Sequence, residues 1–579
     1  MNRILEVSTR SGTAQFRPCA EEERAWGGRS FIAHHLQSEV EPGCDPLGPR
    51  NRLIIAQGLL GDTKLTTAGR FSIGGKSPLT GGVKEANVGG SCGRRMARLG
   101  IKAIILKDTP ENRAPRILLV RNDGAELIDA PDLAGRETSA TLAYLRERFG
   151  AKTGVLAIGP AGEQTLTAAL VATTDDAGVQ LRVAGRGGLG AIMGSKGIKG
   201  IVVDDAGAVP PEPADGETLT RASREVARIL REDPKTENRH NFGTPAVLSL
   251  CNALGILPTR NFSSGTFEHA DAISGEMIAE LIDQRGGKEG EAKKGLPCVQ
   301  GCVIACSNIF AGPSGKTTVA SLQYENIALL GSNCDIGDID AIAELNDLCN
   351  EVGIDAIDGG AAIGVAMEAG VIKFGDAEGA KDLLRQVGQG TPLGKVIGSG
   401  VVTTARVLGV RRVPATKGQA MPAYDPRSLK GIGVTYAMSA MGADHTAGNA
   451  LETAKAIDPR GRDGQVASSF KLQVRAAILD SLGVCLFIRP AFVKDPSLAA
   501  QLLNGRYGWN WEYRDVQRMG IDCLTAEREF GEAAGIGETD NDVPEFMRSE
   551  PLPPHNTVFD LSREEMSKIW DTVLPDDIF

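Results

Sequence analysis

The sequence has few aromatic residues and no surplus of positive charge. Phe, Trp and Tyr make up 4% of the 579 residues, and 73 acidic residues against 63 Lys and Arg give a net charge of −10. Nucleic-acid-binding proteins normally carry a basic patch or stripe, so this balance argues against a nucleic-acid partner. The apolar share of 42% is typical of a chain that folds around a core.

Long hydrophobic segments are also missing. No apolar run approaches the roughly 18 residues that a membrane-spanning helix needs. The segment Met1–Ser11 lacks the apolar centre of a secretory signal peptide. We therefore expect no membrane span and a cytoplasmic location.

Cysteine is scarce, and its eleven residues are too few and too scattered for a disulfide framework. Three of them, Cys298, Cys302 and Cys306, nevertheless lie within nine residues. Such a local group of thiols is typical of an iron–sulfur cluster, whereas zinc is disfavoured because no histidine lies nearby. A [4Fe–4S] cluster takes four thiolates, so a fourth cysteine is expected from elsewhere in the chain.

Glycine, in contrast, is abundant, with 72 residues or about 12% against a typical ~7%. Gly185, Gly187 and Gly190 have the spacing of a dinucleotide-binding fingerprint, but the cations Arg182, Arg186 and Lys196 crowd the same loop. Glycines together with cations indicate that this loop binds an anionic phosphate group. A nicotinamide site and a purely structural turn remain open alternatives.

The hydrophobic pattern divides the chain into three parts. Short aliphatic runs separated by glycine predict a β-rich domain at 1–205, and helical periodicity begins after a Pro-rich connector and defines a domain at 206–410. A mixed, mainly helical segment forms the third domain at 411–579. The predicted class is α+β, and no internal repeat is visible in the sequence.

Two predicted helices end in similar motifs. Asn350–Asp355 and Asp480–Cys485 share the pattern polar-x-x-Gly-aliphatic followed by Asp or Cys. Ordinary glycine C-caps would account for both. However, the macrodipole disfavours a carboxylate in the last helical turn by about 0.3–1 kcal/mol, so Asp480 needs a positively polarised partner. Cys485 is the natural fourth cluster thiolate.

A candidate acid/base pair consists of Glu325, at the start of an apolar helix, and His445, in a loop of small residues. Structural roles are common for both residue types at such positions. A catalytic role for the pair is therefore kept as a hypothesis.

Together these motifs resemble the tungsten-containing aldehyde:ferredoxin oxidoreductase family. The resemblance runs through nearly the whole chain. Besides the motifs above, it rests on these segments: Gly27–Arg29, Asp45–Leu47, Arg70, Lys76–Gly81, Glu85–Gly90, Tyr324–Glu325, Gly331–Asn333, Pro422–Arg427 and Gly442–His445.

The resemblance implies a β-rich base that holds a bis-pyranopterin (molybdopterin) tungsten cofactor under two mainly helical domains. The cofactor's own sulfurs would bind tungsten, and a Mg²⁺ ion would bridge the pterin phosphates. The implied cofactor-binding residues are Arg70, Lys76, Asn87, Gly89, Gly90, Arg182, Ala184, Gly185, Arg186, Gly187, Gly188, Gly190, Lys196, Asn350, Asp355, Asp480, Gly483 and Val484. Backbone carbonyls near Asn87 and Ala184 would hold the Mg²⁺, and Cys298, Cys302, Cys306 and Cys485 would bind one [4Fe–4S] cluster.

The same resemblance implies the reaction. Glu325 would act as the base toward water or a hydrated aldehyde, and His445 would polarise the carbonyl oxygen. The electrons from an aldehyde or acyl substrate would leave through the cluster to ferredoxin or a cluster-bearing subunit. The sequence leaves open whether the chain forms a homo-oligomer.

The chain departs from the family pattern at several positions. Three residues, Val299–Gly301, separate the first two cluster cysteines where the family usually has two, and Met441 replaces a frequent arginine. Two alternatives to aldehyde oxidation therefore stay open. One is reduction of an aromatic acyl-CoA thioester on the same cofactor, and the other is a nicotinamide-dependent dehydrogenase.

Overall fold

Two six-stranded sheets form the first part of the chain in the computed structural model, which describes residues 3–287, 290–573 and 578–579. Their strands include the short aliphatic runs that the sequence analysis identifies. The first sheet contains β1 (Arg3–Ser8), β2 (Thr13–Pro18), β3 (Leu53–Gln57), β4 (Phe71–Lys76), β5 (Val83–Val88) and β6 (Ile101–Lys107). The second contains β7 (Arg116–Val120), β8 (Ala125–Asp129), β9 (Gly154–Ala157), β10 (Val171–Thr174), β11 (Leu181–Ala184) and β12 (Ile198–Val203).

The two sheets repeat one topology. Their strand orders are β2-β1-β6-β3-β4-β5 and β8-β7-β12-β9-β10-β11. In each sheet one pair is parallel, β1 with β6 and β7 with β12, and the other pairs are antiparallel. The sequence shows no fixed-period repeat, and the structure does not contradict this. The repeat lies in strand order and pairing, which leave no fixed period of residue types.

Helices occupy equivalent positions in both repeats. In the first, α1 (Gly28–Glu39) precedes β3 and α2 (Cys92–Arg98) joins β5 to β6. In the second, α3 (Thr138–Phe149) precedes β9, the single turn α4 (Pro160–Glu163) follows it, and α5 (Leu189–Ser195) joins β11 to β12. Buried aliphatic side chains from both sheets form one shared core, in which Ile55 and Ile73 join Leu156 and Ile201.

The remainder of the chain is mainly helical, which confirms the predicted α+β class. Its helices up to residue 410 are α6 (Gly216–Glu232), α7 (Pro234–Phe242), α8 (Leu248–Leu254), α9 (Gly275–Arg285), α10 (Tyr324–Leu330), α11 (Ile339–Val352), α12 (Ala356–Glu368), α13 (Ala377–Gln389), α14 (Pro392–Gly398) and α15 (Val401–Leu408). The later ones are α16 (Lys430–Met438), α17 (Gln465–Leu482), α18 (Arg489–Lys494), α19 (Ser497–Tyr507), α20 (Tyr513–Ala533), α21 (Glu545–Ser549) and α22 (Arg563–Ser567).

Two small sheets interrupt the helices and were not predicted. They contain β13 (Lys293–Leu296), β14 (Ser307–Ala311) and β15 (Thr317–Val319), then β16 (Ala415–Thr416) and β17 (Gln419–Ala420). The clustered cysteines lie in turns between β13 and β14. The division into domains at 205 and 410 stays a prediction.

Within the described part of the chain, no single helix has the length and apolar content needed to cross a membrane. The segments Gln465–Leu482 and Leu486–Lys494 pass that test, by length and composition, only as a pair bent by 109°.

The end of α17 docks on the first sheet through backbone contacts. The amides of Leu59 and Arg70 donate to the carbonyls of Ser481 and Gly483, at 3.1 and 3.2 Å. Gly58 and Gly483 face each other so closely that a Cβ on Gly58 would overlap the Gly483 backbone. The helix end can approach this far because neither residue has a side chain.

The end of α11 docks on the second sheet in the same way. The amide of Leu170 donates to the carbonyl of Gly353 at 2.9 Å, and the amide of Asp355 donates to the carbonyl of Ala168 at 2.9 Å. A Cβ on Gly353 would lie 2.9 Å from the Cα of Gly159. The two helix-end motifs therefore occupy equivalent positions on the two repeats.

We predict that Gly353→Ala destabilises the protein by roughly 2–5 kcal/mol, because a left-handed backbone and a backbone overlap act together. Gly353 has φ +83°. Gly409→Ala is the matched control, since this C-cap has φ +73° and nothing within 4 Å of its Cβ position. The control should lose about 1–2 kcal/mol. Equal shifts in the urea midpoints of the two variants would contradict close docking.

Candidate functional site

Asp480 lies in the last turn of α17, beside a buried arginine. The Arg29 guanidinium is fully buried, forms a two-bond ion pair with Glu527, and points Nη1 at an Asp480 oxygen 3.6 Å away. Burial raises the pKa of Asp480 to about 6, against the lowering effect of Arg29 and Arg70. Arg29 is thus a cationic partner of the kind that the sequence argument required for Asp480.

A second carboxyl group, Glu85 on β5, faces the same place and was not predicted as a site residue. It is 2% exposed, and its Oε1 has no hydrogen-bond partner. Burial raises the pKa of Glu85 to about 8, and the neighbouring Asp480 charge adds to the effect. This end of the site therefore holds two carboxyl groups that resist ionising together.

The other helix-end motif supplies Asp355, which begins α12 and binds an arginine. Its carboxylate accepts from the backbone amides of Ile357 and Asp358 and lies 3.3 Å from Arg186 Nε. Burial, followed by the Asp355 charge, raises the pKa of Asp358 to about 7. Asn350 is half-buried in the last turn of α11.

The two glycine-rich turns occupy equivalent positions, one between β5 and α2 and the other between β11 and α5. The first turn contains Gly89 and Gly90. The second contains Gly187 and Gly188, and each of these two glycines has φ above +70°. The second turn follows an edge strand that pairs antiparallel with β10, so it does not belong to a parallel βαβ unit. This context does not favour the nicotinamide alternative.

The cations near these turns have different roles. Arg70 donates to the Oδ1 and the carbonyl of Asn87, and its Nη1 lies 3.8 Å from Cys298 Sγ. Arg186 crosses to the third part of the chain, where it donates to the carbonyls of Ala443 and Ala420. Arg182 points away from the glycine turn and binds the Ser307 and Gln180 side chains.

Two lysines assigned to the site by resemblance are not brought to it. The Lys76 ammonium donates to the carbonyl of Pro42, and the Lys196 ammonium donates to those of Asn51 and Asp108 at 2.7 and 3.0 Å. Lys76 also ends β4, about 20 Å of extended chain away from Arg70. Both ammonium groups thus satisfy buried carbonyls in this structure, and their binding of phosphate stays a prediction.

The four expected cluster cysteines approach one another across the chain. Each is half-buried, and Cys298 is held by Arg70 and by the Gly90 amide, which donates to its carbonyl at 3.0 Å. Burial, followed by the Cys298 and Cys485 thiols, raises the pKa of Cys302 to about 12. Burial also raises the pKa of Cys306, with the largest thiol contribution from Cys485. Cys485 is therefore within electrostatic reach of the other three.

Glu325 and His445 meet at the start of α10. The Glu325 Oε2 accepts from the Ala423 amide at 2.8 Å, and its Oε1 lies 3.5 Å from His445 Nε2. Burial raises the pKa of Glu325, and His445 opposes this shift. A carboxyl group with a raised pKa is a stronger base than an ordinary glutamate once it is ionised.

An ion pair that the sequence analysis missed lies beside His445. Lys84 on β5 donates to the Asp444 carboxylate, and both residues are 1% exposed. The available signal was the segment Lys84–Asn87, in which three polar side chains occur in a strand that is otherwise small and apolar. A strand with such residues at the centre of a fold indicates a functional role for their side chains.

Several polar atoms around these groups are buried without a hydrogen-bond partner. Native proteins rarely leave such atoms unpaired, so these atoms are available to hydrogen-bond a polar ligand. The unpaired atoms are Arg29 Nη1, Glu85 Oε1, Asn87 Nδ2, Arg182 Nε, Glu325 Oε1, Asp358 Oδ2, Gln419 Oε1, Tyr436 Oη and His445 Nδ1.

Among residues 3–287, 290–573 and 578–579, no three side chains of His, Cys, Asp or Glu are arranged to hold a metal ion. A cleft of about 500 Å³ opens instead beside Cys298 and is lined in part by Gly90, Arg94 and Gln300.

Comparison with known proteins decides the family. A model of the aldehyde ferredoxin oxidoreductase N-terminal domain matches residues 4–205, and a model of domains 2 and 3 of the same proteins matches residues 221–571. The chain belongs to the aldehyde ferredoxin oxidoreductase family. The resemblance seen in the sequence is confirmed, and with it the assignment to oxidoreductase enzymes.

Curated relatives match over nearly their full length. The tungsten-containing aldehyde ferredoxin oxidoreductase of Thermococcus kodakarensis is 31% identical over 95% of this chain and 92% of its own. That of Pyrococcus abyssi is 32% identical with the same coverage. The aliphatic sulfonate oxidoreductase WOR-like subunit of Pyrococcus furiosus is 26% identical over 82% of this chain and 76% of its own.

A solved structure shares the fold of this family member. It is the active site complex BamBC of benzoyl coenzyme A reductase with 1,5 dienoyl-CoA, with a TM-score of 0.79. The match covers 98% of this chain and 93% of the other at 18% identity.

We predict that Glu85→Gln makes the cofactor-free protein more stable than wild type at pH 9 but not at pH 4. The folded-state pKa of about 8 lies above the unfolded value, so wild type loses stability as pH rises from about 4.5 to 8. The gain at pH 9 should be at most about 5 kcal/mol. Thermal unfolding at both pH values tests this, with Glu147→Gln, at an exposed position of α3, as control. A gain independent of pH would contradict the shifted titration.

Proposed function

We propose that this protein is a tungsten–pyranopterin oxidoreductase that oxidises aldehydes to carboxylic acids. Its electrons would pass through one [4Fe–4S] cluster to ferredoxin or a cluster-bearing subunit. The observation that carries the proposal is the convergence of two helix ends, four thiols and unpaired polar atoms on one region. The tungsten-containing relatives at 31–32% identity support the same function.

The residues present fit the cofactor. Asp480, Asp355 and Asn350 would accept from the amine and ring N–H groups of the two pterins, with Gly483 and Val484 alongside. The glycine turns after β5 and β11 would receive the phosphates near Arg70 and Arg186. A Mg²⁺ ion would bind the backbone carbonyls of Asn87 and Ala184, although the Asn87 carbonyl also accepts from Arg70. The bound metal would supply a two-electron acceptor.

Cys298, Cys302, Cys306 and Cys485 would hold the cluster. A cluster binds each thiolate through a different iron, so its cysteines lie further apart than the ligands of one ion. This accounts for four neighbouring thiols that do not form a single-ion site. The raised pKa values of Cys302 and Cys306 describe protonated thiols, which must ionise when iron binds.

The reaction consumes one aldehyde and one water and yields a carboxylic acid, two protons and two electrons. Glu325 would accept a proton from the water or the hydrated aldehyde at its unpaired Oε1. The Ala423 amide fixes the other oxygen and so aims the carboxylate. His445, 20% exposed at its side chain, would donate from Nε2 to the substrate oxygen.

Reduction of an acyl-CoA thioester is the second candidate. It is favoured by the structural match to a benzoyl coenzyme A reductase complex over 98% of the chain. The buried Met441, which replaces an arginine frequent in the family, also makes this part of the site more apolar. The higher identity to aldehyde-oxidising relatives over 95% of the chain favours the aldehyde.

We expect anaerobically purified protein to contain one tungsten and four irons per chain and to reduce viologen dye with an aldehyde. Elemental analysis and a dye assay measure both. Activity with an acyl-CoA but with no aldehyde would replace the first candidate by the second.

We predict that Cys485→Ser loses most of the iron. Cys19→Ser is the control and should keep the iron, because Cys19 is far in sequence from the four proposed cluster cysteines.

We predict that Glu325→Gln retains tungsten but lowers kcat by about 10²–10⁴-fold, the usual effect of losing a general base. The amide keeps the hydrogen bond from Ala423 but cannot take a proton. Glu378→Gln, on the exposed side of α13, is the control and should leave kcat unchanged. Wild-type turnover in the Glu325 variant, at equal tungsten content, would remove this residue from the mechanism.

A further inference from the structure

The ion pair between Lys84 and Asp444 is not explained by the proposed reaction. Its two side chains come from β5 and from the loop before His445, 360 residues apart in sequence. Both are 1% exposed, and the Lys84 ammonium otherwise contacts the sulfur of Met441 at 3.9 Å. Burying two charges is costly unless they pair well, so a pair at this depth calls for a role.

Asp444 connects this pair to His445. Its Oδ1 accepts from the Thr446 amide at 2.8 Å and the Thr446 hydroxyl at 2.7 Å, and Oδ2 accepts from Lys84. Oδ1 lies 3.9 Å from His445 Nδ1, which has no hydrogen-bond partner. The imidazole therefore lies between Asp444 on one side and Glu325, 3.5 Å from Nε2, on the other.

The two carboxyl groups differ in charge. Lys84, then Arg186 and His445, hold the pKa of Asp444 well below its usual range in spite of burial. Burial raises the pKa of Glu325 instead. Asp444 is therefore the permanent negative charge beside the imidazole, and Glu325 is the group that changes charge.

The other charged groups around His445 have ion-pair partners of their own, and the nearby tyrosines are uncharged. Arg186 is shared among Asp355, Asp358 and two backbone carbonyls. Asp480 feels the Asp444 charge and is paired with Arg29. The Tyr424 ring lies 6.1 Å from the imidazole, and the buried Tyr436 hydroxyl stays protonated because burial raises its pKa.

We propose that Lys84 is a positioning residue that sets, through Asp444, how strongly His445 holds a proton. The proposal rests on the role proposed above for His445. Lys84 offsets most of the Asp444 charge, so the Asp444 carboxylate favours the doubly protonated ring less than it would alone, and the ring keeps one N–H for the substrate oxygen. Without Lys84, the exposed field of Asp444 would favour the doubly protonated ring.

This arrangement predicts opposite effects for the two partners. Lys84→Met removes the cation and should raise the pKa of His445 by about one unit, as expected for a carboxylate within 4 Å. Asp444→Asn removes the anion while keeping an oxygen for Thr446, and should lower it. The double variant, which removes both charges, should return close to wild type.

Titration of ¹³C-histidine-labelled protein by NMR measures these shifts without any catalytic assay. His445→Gln identifies the resonance among the six histidines. Opposite shifts in the single variants and cancellation in the double variant support the proposal. Shifts of the same sign, or no shift in either, would overturn it. If aldehyde activity were absent altogether, the titration would still decide this point.

Two further measurements guard against a purely structural effect. Lys84→Arg keeps the charge and should restore the wild-type titration even if Lys84→Met folds poorly. Where the enzyme is active, the limb of the kcat/KM profile that reports His445 should move with the NMR value in each variant. A uniform loss of activity with an unmoved limb would assign Lys84 to packing alone and overturn the proposal.

Discussion

The site depends on two places where backbone packs directly on backbone. Gly58 meets Gly483 on the first sheet, and Gly159 meets Gly353 on the second, with amide–carbonyl bonds on either side of each contact. Because no side chain separates the helix ends from the sheets, the distance between each helix-end motif and its sheet is fixed by backbone contacts. That holds Asp480 with Cys485, and Asn350 with Asp355, beside the buried charged groups of the site.

The buried charges are the second layer of this arrangement. β5 sends Lys84 toward Asp444, and Glu85 and Asn87 toward Asp480 and Arg70, because neighbouring residues of a strand point to opposite faces. One strand therefore reaches both the proposed acid/base pair and the second helix end. Some carboxylate oxygens among these groups have no hydrogen-bond partner, and a ligand with N–H donors would find acceptors there.

The sequence predicted the elements of this site better than their contacts. The helix ends at Gly353 and Gly483 and the α+β class are local or compositional features, and the structure has them. The repeat of the two sheets could not be read, because topology is kept by strand pairing and not by residue identity. The hydrogen-bond partners of Lys196 could not be predicted, because the sequence does not show what a cation in a glycine loop contacts. Here its target is a pair of carbonyls in other loops. Arg29 and Lys84 were missed because their partners lie more than 350 residues away.

A symmetric scaffold carries an asymmetric site. Both repeats receive a helix end in the same way, but one motif ends in Asp355 and the other in Cys485. Asp355 binds Arg186 and so leads to Ala443 and the Glu325–His445 pair, where protons can be exchanged. Cys485 leads to the other thiols and to Arg70, where the proposed cluster would carry electrons. The different residues at this one equivalent position would thus separate the proposed path of protons from the proposed path of electrons.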